Sequence, residues 1–158
     1  MTRAFLALGS NLGDRDAELR RAVGSMTEVV AASAVYETDP VGGPEGQGPY
    51  LNMVVQLRTD LDPHALLRRC QEIEAAARRD RTIHWGPRTL DIDLLFYDDL
   101  VIDDEELTLP HPRIGERRFV LEPLAEVDPS RCPSGWAAAV PAGGVHPRGP
   151  LRLDAGGR

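Results

Sequence analysis

Apolar positions along the chain repeat with two different periods, and each change of period marks a new element. RAFLALGS, Arg3–Ser10, is apolar enough for a buried strand. After the turn NLGD, with Asp14 placed to cap a helix, Leu19, Ala22, Val23, Met26 and Val30 recur at helical spacing and predict a first helix over Asp14–Ala31. SAVYETD, Ser33–Asp39, and YLNMVVQLR, Tyr50–Arg58, are the next strands. Asp62-Pro63 opens a second helix, because proline at the first helical position lacks only an N–H that has no partner there. Leu66, Leu67, Cys70, Ile73 and Ala77 form its buried stripe. TLDIDLLF is the fourth strand, DDLVIDDEELTLPHPR a hairpin with an acidic turn, and ERRFVLEPLAEV, Glu116–Val127, a short helix. Strand, helix, strand, strand, helix, strand predicts an α/β (α+β) fold of ferredoxin-like type, a split βαβ sandwich with its helices on one face of an antiparallel sheet.

Composition adds boundaries to this picture. With 158 residues, 42% hydrophobic and 27% charged, the chain is expected to be globular. Residues 1–129 hold the periodic pattern, whereas 130–158 are a Pro/Gly-rich extension expected to be partly irregular or disordered and to add little core. The Gly/Pro stretch PVGGPEGQGP, Pro40–Pro49, suits either a mobile functional loop or a tolerated insertion. No apolar run approaches the ~20 residues of a membrane span, and the N-terminus reads as a strand rather than a signal peptide. Cys70 and Cys132 lack CxxC spacing, so Cys70 is expected to be a buried reduced thiol and the location cytoplasmic. The net charge of −7 argues against nucleic acid as a partner. All 18 basic residues are arginine, which excludes a P-loop lysine, a kinase lysine and a Schiff-base lysine.

The chemistry concentrates in HWGPRTLDIDLL. By strand alternation Leu90, Ile92, Leu94 and Phe96 face the core, while Thr89, Asp91, Asp93 and Leu95 face the other way. The two carboxylates would have Cα atoms about 6.6–6.8 Å apart and would repel unless a cation or water intervenes. A solvated outer face or salt bridges to arginine would satisfy them. So would Mg²⁺, which takes one or two carboxylates plus substrate phosphates. Arg78, Arg79, Arg81 and Arg88 precede the acids, and guanidinium forks match phosphate oxygens. The acidic run Asp103–Glu106 is expected to face solvent.

HWGPRTLDIDLL is similar to the signature of the 6-hydroxymethyl-7,8-dihydropterin pyrophosphokinase family of folate biosynthesis. LGSNLGDR, YETDPVGG, GPYLNMVVQL and LTLPHPRIGERRFVLEPLAEVDP agree with it in order, from Ala4 to Pro129. The resemblance implies a ferredoxin-like catalytic domain over residues 1–129. It implies transfer of pyrophosphate from ATP to the pterin hydroxymethyl group with release of AMP. It makes Asp91 and Asp93 ligands of two Mg²⁺ ions bound with ATP, and Arg79, Arg81 and Arg88 catalytic arginines on the phosphates. Gln71, Glu74, Arg88 and His111 fall on the ATP side; Thr38, Val41, Tyr50, Asn52, Trp85 and Phe119 fall on the pterin side. The partners are then ATP and the pterin, with no nucleic acid and no membrane, in a monomer or weak homodimer. The loops Pro40–Pro49 and Arg78–Arg88 are expected to close over both substrates. Departures are His84, Arg78, Glu106, Gly115 and the C-terminal tail; none touches the acids, Trp85 or Asn52. A different DxD-type nucleotide-dependent transferase and a non-catalytic binding module are the rival readings, separated by the nucleotide product.

Overall fold

A computed structural model describes residues 2–10, 15–26, 28–38, 50–79, 90–141 and 144–151. In chain order these form β1 (Thr2–Ser10), α1 (Arg15–Gly24), β2 (Val29–Ala32), β3 (Val35–Thr38), β4 (Tyr50–Thr59), α2 (Pro63–Arg79) and β5 (Asp91–Tyr97). Then follow β6 (Ile102–Asp103), β7 (Thr108–Leu109), α3 (Arg118–Val127), α4 (Trp136–Ala139) and β8 (Val145–Gly149). One antiparallel sheet has the order β5-β1-β4-β3-β8, with β2 also pairing β4. β6 and β7 make the small separate hairpin expected from the sequence, and its acidic turn is exposed.

The second helix begins as its sequence dictates: the Asp62 carboxylate accepts from the Ala65 N–H at 2.8 Å, and Pro63 opens the helix. The first helix is shorter than expected. It ends at Gly24, and Val29–Ala32 is a strand instead of a last helical turn. The open edge of β4 supplies the backbone partners that the β-branched pair Val29-Val30 favours, and Val30 is left half exposed. Between β2 and β3 the Ser33 hydroxyl takes the Val54 N–H at 2.9 Å, so both short strands share the same edge of β4.

The helices do not all lie on one face. α1 and α2 bury Leu19, Ala22, Val23, Leu66, Cys70, Ile73 and Ala77 against Leu6, Leu8, Leu51, Met53, Ile92 and Leu94. α3 buries Val120, Leu121 and Leu124 on the opposite face, against Phe5, Ala7, Val54, Leu95 and Phe96. The apolar stripe of α3 needs its own surface, and alternation along β1 and β4 provides it. Phe96 belongs to this second face, contrary to simple alternation. The β1–β5 register shifts between Phe5 and Leu6, whose partners are Phe96 and Leu94. Leu95 is thus the extra residue of a bulge, which reverses the alternation beyond it.

The C-terminal segment contributes more than its composition suggested. Cys132, Trp136 and Val140 pack on the second cluster and Leu151 on the first. β8 adds a strand beside β3, pairing Thr38 with Val145. Both cysteines are free thiols, and burial pushes Cys70 up to about 12, as expected of an inert core thiol. Among the described residues no helix is long and apolar enough to cross a membrane.

Candidate active site

Strand register brings the candidate residues into one row on the face shared with α3. Asp91 of β5 is paired with Gly9 of β1, Gly9 with Asn52 of β4, and Asn52 with Tyr36 of β3. Paired residues share a face, so Asp91 and Asn52 stand about 10 Å apart with only a glycine between them. One row inward, Asp93 pairs with Ala7, which lies in the α3 core. One row outward, Thr38 pairs with Tyr50. Asn52 is 7% exposed, and its Nδ2 donates to Thr38 Oγ1 at 2.7 Å.

Groups around Asp93 come from three elements. Arg117, just before α3, holds a guanidinium nitrogen 3.7 Å from the Asp93 carboxylate and lies 5.7 Å from the Phe119 ring centre. His111 follows the β6–β7 hairpin, and its N–H donates to the carbonyl of the bulge residue Leu95 at 3.0 Å. The bulge that turns Phe96 inward therefore also fixes His111 beside the acid strand. Burial lowers the His111 pKa, the Asp93 charge opposes that shift, and Arg117 and Arg113 add to it. The net shift favours the neutral imidazole. Its Nδ1 accepts from the Arg113 N–H at 3.1 Å, which puts the ring proton on Nε2. From the opposite face of the sheet, Glu74 of α2 accepts the Ile92 N–H at 2.6 Å and so pins the residue between the two acids.

Asp93 keeps 44% of its side-chain surface exposed, enough for a cation to reach it. Among the described residues no group of three His, Cys, Asp or Glu side chains converges as a metal cage. Two carboxylates on one strand, with no converging cage of three such side chains among the described residues, suit Mg²⁺ completed by water and phosphate oxygens rather than a closed zinc site.

The structure brings Asp91, Asp93, Asn52, Tyr50, Thr38, His111 and Phe119 to one face of the sheet. Gln71 is exposed on α2, one turn before Glu74. Val41, Arg81, Trp85, Arg88 and the loops Pro40–Pro49 and Arg78–Arg88 fall outside the described residues, as does the side chain of Arg79. Gly9 and Arg117 belong to the site and were not singled out in the sequence. An interior strand glycine was the available signal for Gly9. Arg117 lies in an arginine pair, and nothing in the sequence distinguishes it from Arg118, which turns to Glu122 at 2.7 Å instead.

Paired carboxylates, a flanking guanidinium and an imidazole on one face of an antiparallel α/β sandwich suit metal-assisted phosphoryl transfer. The chain belongs to the 7,8-dihydro-6-hydroxymethylpterin-pyrophosphokinase family, whose model matches residues 5–129. A 2-amino-4-hydroxy-6-hydroxymethyldihydropteridine pyrophosphokinase of Bacillus subtilis (strain 168) is 48% identical over 129 residues, 78% of this chain and 77% of its own. One from Methylorubrum extorquens is 44% identical over 159 residues, 98% of this chain and 100% of its own. The wild-type HPPK-DHPS crystal structure from Plasmodium falciparum matches with a TM-score of 0.63 over 81% of this chain and 41% of that one. At 16% identity that likeness concerns the fold alone.

Proposed function

We propose that this chain transfers a pyrophosphoryl group from ATP to the hydroxymethyl group of 6-hydroxymethyl-7,8-dihydropterin, releasing AMP, as a step of folate biosynthesis. One observation carries the reading in a member of this family: Asp91, the first of the acid pair, and a buried amide face each other across Gly9 on a single sheet surface. The acids have a use for a triphosphate, and the amide has a use for the polar edge of a flat heterocycle.

Asp91 and Asp93 would hold the metal; Mg²⁺ bound there with ATP, two ions in this reading, would neutralise the triphosphate and lower the pKa of the attacking hydroxyl. Arg117 and the Nε2–H of His111 donate to phosphate oxygens from beside Asp93, and Arg79, Arg81 and Arg88 complete the cationic set. Glu74 holds the acid strand in place, with Gln71 on the same, nucleotide-facing side of α2. Asn52 reads the pterin edge, Tyr50 and Phe119 offer aromatic faces, and Thr38, Val41 and Trp85 border the ring. Catalysis is then mainly positioning and charge neutralisation. The oligomeric state in this reading is a monomer or weak homodimer. A cytoplasmic setting, where ATP is at hand and thiols such as Cys70 stay reduced, fits the chemistry.

The test is nucleotide chromatography after mixing the protein, Mg–ATP and the reduced hydroxymethylpterin. AMP formed in step with a pterin diphosphate is expected. ADP would indicate transfer of one phosphate, free pyrophosphate would indicate nucleotidyl transfer, and ATP consumption independent of the pterin would remove the acceptor from the reading.

A further inference from the structure

Gly9 has no backbone reason to be glycine. It lies inside a regular antiparallel ladder between β4 and β5, and its φ is not in the left-handed region. Glycine weakens a strand interior, since it adds chain entropy and has no side chain to pack. The reason is across the strand. A Cβ at position 9 would stand 3.0 Å from Asn52 Oδ1 and 3.7 Å from Tyr50 Cδ2. The first distance is shorter than an ordinary carbon–oxygen contact. Asn52 has little freedom to retreat, because it is buried and its Nδ2 is held by Thr38 Oγ1 at 2.7 Å. The hydroxyl ties the amide on the β3 side, so its oxygen lies over β1, on the side of Asp91.

We infer that Gly9 is a positioning residue for the pterin, acting through Asn52. Its missing side chain lets the amide carbonyl lie across β1 and present an acceptor to an N–H donor on the edge of the heterocycle. The inference rests on the reading above, since it takes the pterin as the occupant of this space. Any side chain at position 9 would push Oδ1 away or break the bond to Thr38.

The test is a double-mutant cycle on Gly9→Ala and Asn52→Ala in the full chain. It measures pterin affinity by equilibrium titration and KM for both substrates. Gly24→Ala is the control, because a Cβ there meets nothing within 4 Å. Gly9→Ala is expected to weaken pterin binding by roughly tenfold or more, the usual scale of overpacking a tight contact. KM for ATP should hold, and Gly24→Ala should change neither substrate. Because Gly9 acts through Asn52, adding Gly9→Ala to Asn52→Ala should weaken binding little further. Unchanged pterin affinity in Gly9→Ala, equal losses for both substrates, or full losses that multiply in the double variant would each overturn the inference. A wild-type chain that binds no pterin would overturn the functional reading as well, so the two failures are told apart by the wild type alone.

Discussion

Asp93 is the residue on which opposing charges meet. Its neighbour Asp91 shares its face two positions away, Arg117 stands at 3.7 Å, and the His111 imidazole is close enough to feel its charge. The guanidinium offsets part of the charge of the acid pair, and this partly exposed ion pair is of modest energetic weight. Its function is therefore separable from its contribution to the fold. Asp93→Asn keeps the shape and removes the charge. Turnover should fall by at least about 10²-fold, the scale on which even outer contacts of metal sites act. Stability should stay within about 0.5 kcal/mol of the parent, as for other surface substitutions, because one like-charge repulsion and one ion pair are lost together. Steady-state kinetics at increasing Mg²⁺, set beside a denaturant melt, checks both expectations. Near-normal turnover would remove the metal role from Asp93.

At the scale of elements, α3 is what makes the sheet's second face a site, and it is tied down at both ends. Its first residues follow Arg117 and include Phe119; near its other end both oxygens of Glu126 accept the Ala34 N–H at 3.1 Å, and Oε1 accepts the Tyr36 hydroxyl at 3.0 Å. Burial first, and then the bond to Glu126, push the Tyr36 pKa up to about 12. Tyr36 and Ala34 flank the start of β3, so Glu126 couples α3 to the strand that carries Thr38. Glu126→Ala should cost about 1–2 kcal/mol, the scale of partly solvated hydrogen bonds to a charged group. A weaker affinity for the pterin than for ATP should accompany that loss, measurable by chemical denaturation and paired substrate titrations. Unchanged stability would mean that water replaces the carboxylate at no cost.

For the whole molecule, the segment after α3 runs from one edge of the structure to the other. Arg118 donates to the carbonyl oxygens of Ala137 and Val140 at 3.0 and 2.8 Å and lies 4.8 Å from the Trp136 ring centre. Arg131 lies over both Phe5 and Phe96, whose rings meet edge to face. β8 then pairs with β3, and Arg148 reaches Asp16 of α1 at 3.3 Å. The segment thus braces the strand opposite the acids without supplying any of the proposed catalytic groups. A chain ending at Pro141 should lose about 1–2 kcal/mol from the missing strand pairs. That corresponds to a melting temperature about 2–8 °C lower. Turnover with saturating substrates should persist. Loss of turnover in a truncated chain that still melts cooperatively would give the tail a catalytic part.

What the sequence determined by itself is local. Apolar runs and periodicity placed the strands β1, β3, β4 and β5 and the helix α2, because each is a compact apolar or periodic stretch bounded by turn residues. Alternation around Ile92 put both acids on one face, since that property needs only the neighbouring residues. Tertiary structure decided the rest. Val29–Ala32 pairs as a strand because β4 has an open edge, which no window of sequence reveals. Leu95 bulges and carries Phe96 to the second face because Phe5 and the α3 cluster lie there, and the same bulge holds His111. Gly9 and Arg117 joined the site only through register and through the packing of α3. A side chain's own strand fixes which way it points, but what it meets is set by residues far along the chain, and those distances exist only once the sheet has closed.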